Sequence, residues 1–245
     1  LTEHSLANLS HDEHYTILIA DEEYCPMDYE RTQELINDVK RSWASIAKDA
    51  NNKKGRSLED LAVFLTSCII PFDVEHDIHT NSNQFDGFVE VRSYNGNNPF
   101  LASVGTFFHA ECKNENSAVD ITHVQKVGAI MDHHHFNFSI IFSRKRVTGC
   151  GKYEAAQAYI ITLFSGKEKR IINIPFTDIE LMVTERKNFL TLLREKNKQL
   201  ALHDLQGNTL ETQLRKIHEL YRQGIITEEH KNHINDMIIE SYDER

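Results

Sequence analysis

Gly105-Thr-Phe-Phe-His-Ala-Glu-Cys-Lys113 begins apolar and β-prone and ends with a carboxylate and an ammonium one residue apart. Side chains alternate along a strand, so Glu111 and Lys113 project from the same face of it. An acid and a base at a strand end make either a small surface ion pair or an ion-binding site. A second carboxylate reaching the same spot decides between them. Gln84-Phe-Asp-Gly-Phe-Val-Glu-Val91 is another strand-like run just upstream, and Asp86 near its start is the natural candidate. An Asp and a Glu from neighbouring strands, with a Lys beside them, can hold a hard divalent cation and a water.

The chain around this stretch supports a sheet. Upstream, residues 28–47 have Leu35, Ile36, Val39, Trp43, Ile46 and Ala47 at helical spacing, and Asn51-Asn-Lys-Lys-Gly-Arg56 reads as a break. Ser57 is expected to cap the next helix, with Asp60 three residues on, and Pro71 to end it. Residues 72–78 and 85–91 read as strands. The third strand runs from Leu101 or Gly105 to Glu111, after an extended hairpin around Asn95-Gly96. Downstream come a helix at 121–132, a fully buried strand at 137–142, a helix at about 153–164 and a strand at 170–174. This order predicts an α/β fold, a mixed sheet flanked by helices. Residues 176–203 and 210–239 read as helical, with Gly224 and Thr227 marking a turn between two short helices in the second segment.

Composition limits the function. The chain has 245 residues and a formal net charge of −10, an unusual balance for a nucleic-acid binder. Local basic clusters can still make phosphate contacts: Lys53, Lys54 and Arg56 form one, and Arg144, Lys145 and Arg146 another. Solvated surface charge is the plain alternative for both. Cys25, Cys68, Cys112 and Cys150 form no CxxC pair, so a paired-cysteine zinc site is not expected. His133-His134-His135 cannot share one helical face, and at a helix end they favour the dipole. No apolar run approaches the ~20 residues of a membrane span. The opening Leu1-Thr-Glu-His-Ser-Leu lacks the basic and apolar regions of a secretory signal, and a cytoplasmic setting is expected. A start other than Met fits a trimmed terminus or a piece of a longer chain.

Segment 57–143 resembles the PD-(D/E)xK nucleases of the restriction-endonuclease-like superfamily, and within them the Mrr-like enzymes. The resemblance is carried by Glu59 on the first helix, Asp86 on the second strand, Glu111-Cys112-Lys113 as the ExK on the third, and Gln125 on the following helix. Phe85 stands where the family name has proline. The resemblance implies a restriction-endonuclease-like core at 56–175, with a helical N-terminal extension at 1–55 and a helical C-terminal region at 176–245. It further implies that Asp86, Glu111 and the Cys112 carbonyl ligate Mg²⁺, or Mn²⁺ in its place. Lys113 would orient water or neutralise phosphorane charge, Glu59 would reach a second ion, and Gln125 would bond the phosphate or hold Lys113. The tail from Leu210 resembles the SHOCT helical hairpin, which implies docking to a second copy or a partner protein. The expected activity is Mg²⁺-dependent cleavage of DNA in prokaryotic restriction or defence, with no membrane association. The alternative is a catalytically silent domain of the same fold that binds or assembles through its helical tail.

Overall fold

The computed structural model describes residues 22–44, 50–79, 84–92, 98–148, 155–202 and 227–242, together with 214, 218, 221, 222 and 224. Helix α1 spans Tyr29–Ala44 and α2 Ala50–Ser67. Strands β1 (Phe72–His79) and β2 (Gln84–Val91) follow, then the short helix α3 (Pro99–Val104) and β3 (Phe107–Lys113). The second half runs α4 (Ile121–His134), β4 (Phe138–Ser143), α5 (Ala155–Lys167), β5 (Arg170–Pro175), α6 (Phe176–Thr184), α7 (Phe189–Ala201) and α8 (Glu228–Tyr242).

The five strands form one mixed sheet in sequence order. Strands β1, β2 and β3 are successive antiparallel neighbours, whereas β3, β4 and β5 run parallel and need the crossover helices α4 and α5 between them. Every residue of β4 is buried, as a strand covered on both faces requires. Helix α2 packs on β1 to β4, α4 on β4, and both α5 and α7 on β5. The core is aromatic at its centre. Phe108 meets Phe72 and Phe138 edge-on at 5.1 and 5.2 Å, and Phe142 stacks on Phe189 at 5.8 Å. This is the α/β architecture expected from the pattern of apolar runs.

Three local expectations are corrected. The break at 51–56 is helical, and α2 starts at Ala50 rather than at a Ser57 cap. Ala50, Lys53, Lys54 and Arg56 are good helix formers, the single Gly costs only about 1 kcal/mol, and burial of Leu58, Leu61 and Leu65 offsets it. The Ser57 hydroxyl lies mid-helix, 2.9 Å from that of Ser42. The expected boundary between residues 55 and 56 therefore falls inside a helix. Second, the link from β2 to β3 carries α3 where a strand from Leu101 was an alternative. Asn98 accepts from the N–H groups of Phe100 and Leu101 at 3.1 and 3.3 Å, and Pro99 takes the first turn, so Asn-Pro works here as a helix start. Gly105, at φ 93°, then turns the chain into β3. The hairpin expected at Asn95-Gly96 lies outside the described residues. Third, residues 176–201 form two helices rather than one run, α6 and α7, parted at Glu185–Asn188, with Asn188 capping α7 through Thr191 N–H at 2.8 Å.

The N-terminal helix is joined to this core. Trp43 donates to Asn114 Oδ1 at 2.6 Å and meets Phe176 at 4.6 Å, while Lys40 pairs with Glu180. Within the C-terminal tail, α8 is described and contacts α6. Most residues of the first short helix expected in that tail lie outside the described residues.

Candidate functional site

Strand β3 places Glu111 and Lys113 at its C-terminal end, where both are buried, at 4% and 7% exposure. The β2–β3 ladder runs from Glu90–Phe107 to Gly87–Ala110. Its next step brings Asp86 opposite Glu111. There the backbone N–H of Cys112 donates to Asp86 Oδ2 at 2.7 Å. The Asp86 carboxyl is thus fastened to the peptide group that links Glu111 and Cys112. Its pKa is pushed up to about 6, first by burial and then by the Glu111 charge, against the pull of the Cys112 N–H and Lys126. Two acids from adjacent strands therefore share one electrostatic neighbourhood.

Glu111 has two different oxygens. Oε1 accepts from Lys126 Nζ at 2.7 Å, and His123 Nε2 lies 3.8 Å from it. Oε2 is buried and has no hydrogen-bond partner among the described residues. Lys113 donates to the carbonyl of Ala118 at 3.2 Å, and its amine lies 3.8 Å from Glu115. Its head is therefore tied to the loop that follows β3.

Glu59 enters from α2. Its carboxyl pKa is raised, first by burial and then by Asp86, Asp77 and Asp60, with Arg56 opposing them. The Cys112 thiol is pushed well above its ordinary value by burial, and by Asp86 and Glu59 after it, so it is an inert thiol. Gln125 is on the exposed side of α4 and makes no side-chain hydrogen bond among the described residues. From that helix it is Lys126, one residue on, that meets Glu111.

Three participants were not anticipated. Lys126 and His123 are three apart on α4 and so share the face that overhangs Glu111. That spacing was visible in the sequence, but the helix's rotation over the sheet was not. Asp77 sits on β1 opposite Asp86, between the paired positions His76–Gly87 and Ile78–Phe85, with φ at 55°. Its charge adds to the upward pressure on both Asp86 and Glu59.

The basic clusters are divided by the fold. Lys53 and Lys54 lie in the first turn of α2, with side chains outside the described residues, and Arg56 is exposed. Arg144 lies over the Trp43 ring at 4.3 Å, and Lys145 is partly exposed. Arg146 is buried and bridges Asp178 at 2.9 Å, a carboxylate that also holds Lys196. Arg146 thus belongs to an internal ion cluster rather than to an outer phosphate track.

Asp86 and Glu111 supply hard oxygen donors, the kind a magnesium-sized ion takes alongside backbone carbonyls and waters. Among the described residues, no group of three or more His, Cys, Asp or Glu side chains is arranged to hold a metal ion. No described helix is long and apolar enough to cross a membrane. No model of a protein family matches the chain, and no curated protein matches it. Among solved structures, the chain is similar to a DNA modification-dependent restriction endonuclease, AspBHI, at 20% identity and a TM-score of 0.37. The match covers 73% of this chain and 42% of that one, so this chain spans less than half the length of the protein it resembles.

Proposed function

We propose that this chain is a Mg²⁺-dependent endonuclease that hydrolyses phosphodiester bonds in DNA. The observation that carries the reading is the fastening of Asp86 to the Cys112 amide, which brings the β2 acid beside Glu111 and its unpartnered Oε2. Asp86, Glu111 and the Cys112 carbonyl would hold the ion, which when bound supplies Lewis acidity to the phosphate and makes water a better nucleophile. Lys113 is the amine assigned to the developing phosphorane charge, a task that suits a compact ammonium on a rigid strand. Glu59 holds a proton or a water at the outer edge of the site, and its raised pKa fits such a role. Gln125 is exposed and suited to contact the substrate backbone rather than to position Lys113.

The substrate assignment rests on the nuclease resemblance of segment 57–143. Of the basic clusters, Arg56 with an exposed side chain and Lys145 with a partly exposed one would contact DNA. A restriction or defence setting, an Mrr-like lineage, a cytoplasmic location and docking through a SHOCT-like tail complete the proposal. Incubation with plasmid DNA and Mg²⁺ or Mn²⁺ tests it: the parent cleaves, and Asp86→Ala, Glu111→Ala and Lys113→Ala do not. Cleavage that survives all three changes would move the activity elsewhere. One observation favours a second reading, a silent module that binds or assembles. Glu111 is held by Lys126 and Lys113 by Ala118, so both groups already have partners without substrate. A parent inactive with every divalent ion would establish that reading.

A further inference from the structure

Lys126 stands on the one oxygen of Glu111 that has a partner, at 2.7 Å, while its own side chain is 56% exposed. Because that side chain is more than half exposed, the ammonium can turn to solvent without unpacking the helix. The other charges around the pair are Asp86 and, beyond it, Asp77 and Glu59, with His123 3.8 Å from the same Glu111 oxygen. Lys113, the cation expected to balance these acids, is turned to the Ala118 carbonyl and Glu115. The amine that neutralises the two site carboxylates therefore comes from α4.

We propose that Lys126 is the resident counter-ion of the Asp86–Glu111 pair and an internal antagonist of divalent-cation binding, leaving Glu111 as an ion enters. The inference rests on the reading of this pair as a cation site. An ammonium on Oε1 and a divalent ion on Oε2 would be separated only by the width of one carboxylate, and like charges that close repel strongly in a partly buried site. The ion must either displace the amine or bind against it, and both lower its affinity. The arrangement also keeps the ion-free protein intact, because Lys126 offsets the repulsion between the two acids.

The test uses the whole chain without DNA. Calorimetric titration with Ca²⁺ and Mn²⁺ compares the parent with Lys126→Met, which keeps the apolar stem and removes the charge. Lys126→Met is expected to bind either ion about three- to tenfold more tightly, the scale of losing one partly exposed ion pair. Lys126→Arg should stay near the parent. The gain should persist at about 1 M salt, where the Debye length of ~3 Å removes any general attraction of a more acidic surface but leaves a direct contact with the buried Glu111 carboxylate. In EDTA, Lys126→Met should melt below the parent and recover more on adding Ca²⁺. Equal affinities for the parent and Lys126→Met, or a gain abolished by salt, would overturn the inference. If Asp86→Asn still removed ion binding in that case, the cation-site reading would stand without it. Failure of both the parent and Lys126→Met to bind any ion would overturn the two together.

Discussion

The Cys112 N–H bonds the Asp86 carboxylate at 2.7 Å, so a backbone group of β3 fixes where the acid of β2 can sit. Asparagine keeps an oxygen acceptor for that N–H but not the charge that burial and Glu111 oppose. With its pKa raised from 3.8 to about 6, Asp86 binds more protons folded than unfolded between those values. Its contribution to stability is therefore present at low pH and lost as pH rises through 6. In EDTA, Asp86→Asn should gain roughly 2–3 kcal/mol over the parent at pH 8 and almost nothing at pH 3.5. Urea melts at the two pH values check this, and the same variant should not cleave plasmid.

Lys113 is 7% exposed and fixed to the Ala118 carbonyl, so the pocket around it is formed without substrate. Lys113→Ala should lower single-turnover cleavage by about 10²–10³-fold, the scale of losing one charge-stabilising donor. Because the amine's space is shaped for an ammonium, Lys113→Arg should not restore the rate.

Buried His109 opposes the trend set by Asp86. Its pKa is lowered to about 3, mainly by burial, so between 3 and 6.5 the unfolded chain binds the extra proton. Its contribution makes stability rise with pH over that window. His109→Gln should flatten acid denaturation below pH 6 in urea melts, whereas Asp86→Asn should make the same limb steeper.

Asp178 holds Arg146 at 2.9 Å and also holds the side chain of Lys196. Removing the carboxylate leaves two cations in a buried setting. Asp178→Ala should cost about 3–5 kcal/mol in chemical melts. Glu34→Ala, which breaks the exposed pair with Arg31, should change stability by less than about 1 kcal/mol.

Much of this architecture could be read from the apolar runs. Phe138–Phe142 is continuous because β4 is buried on both faces, and Phe107–Lys113 breaks into charge at the C-terminal end of β3. Asp86 and Glu111 could be paired in advance because strands joined through one connection are usual neighbours. What stayed hidden depended on the third dimension. Lys126 was passed over because no local pattern gives the rotation of α4 over β3. Gln125, one residue away, drew the attention instead. Arg146 looked like part of a surface run with Arg144 and Lys145. Its partner Asp178 is 32 residues further on and meets it only after β5 is laid down. The Asn98-Pro99 start of α3 was legible in kind, but turn residues on both sides suggested a hairpin.

The antiparallel half of the sheet precedes its parallel half in the chain, and this gives the protein a biosynthetic history. On the ribosome, Asp86 and Glu111 can meet as soon as the β1–β2–β3 meander emerges, since its contacts are short in sequence. Lys126 follows on α4, and that helix gains its footing only when β4 arrives. Until then the nascent chain carries two acids face to face without their amine, and their counter-charge must come from the surrounding solution.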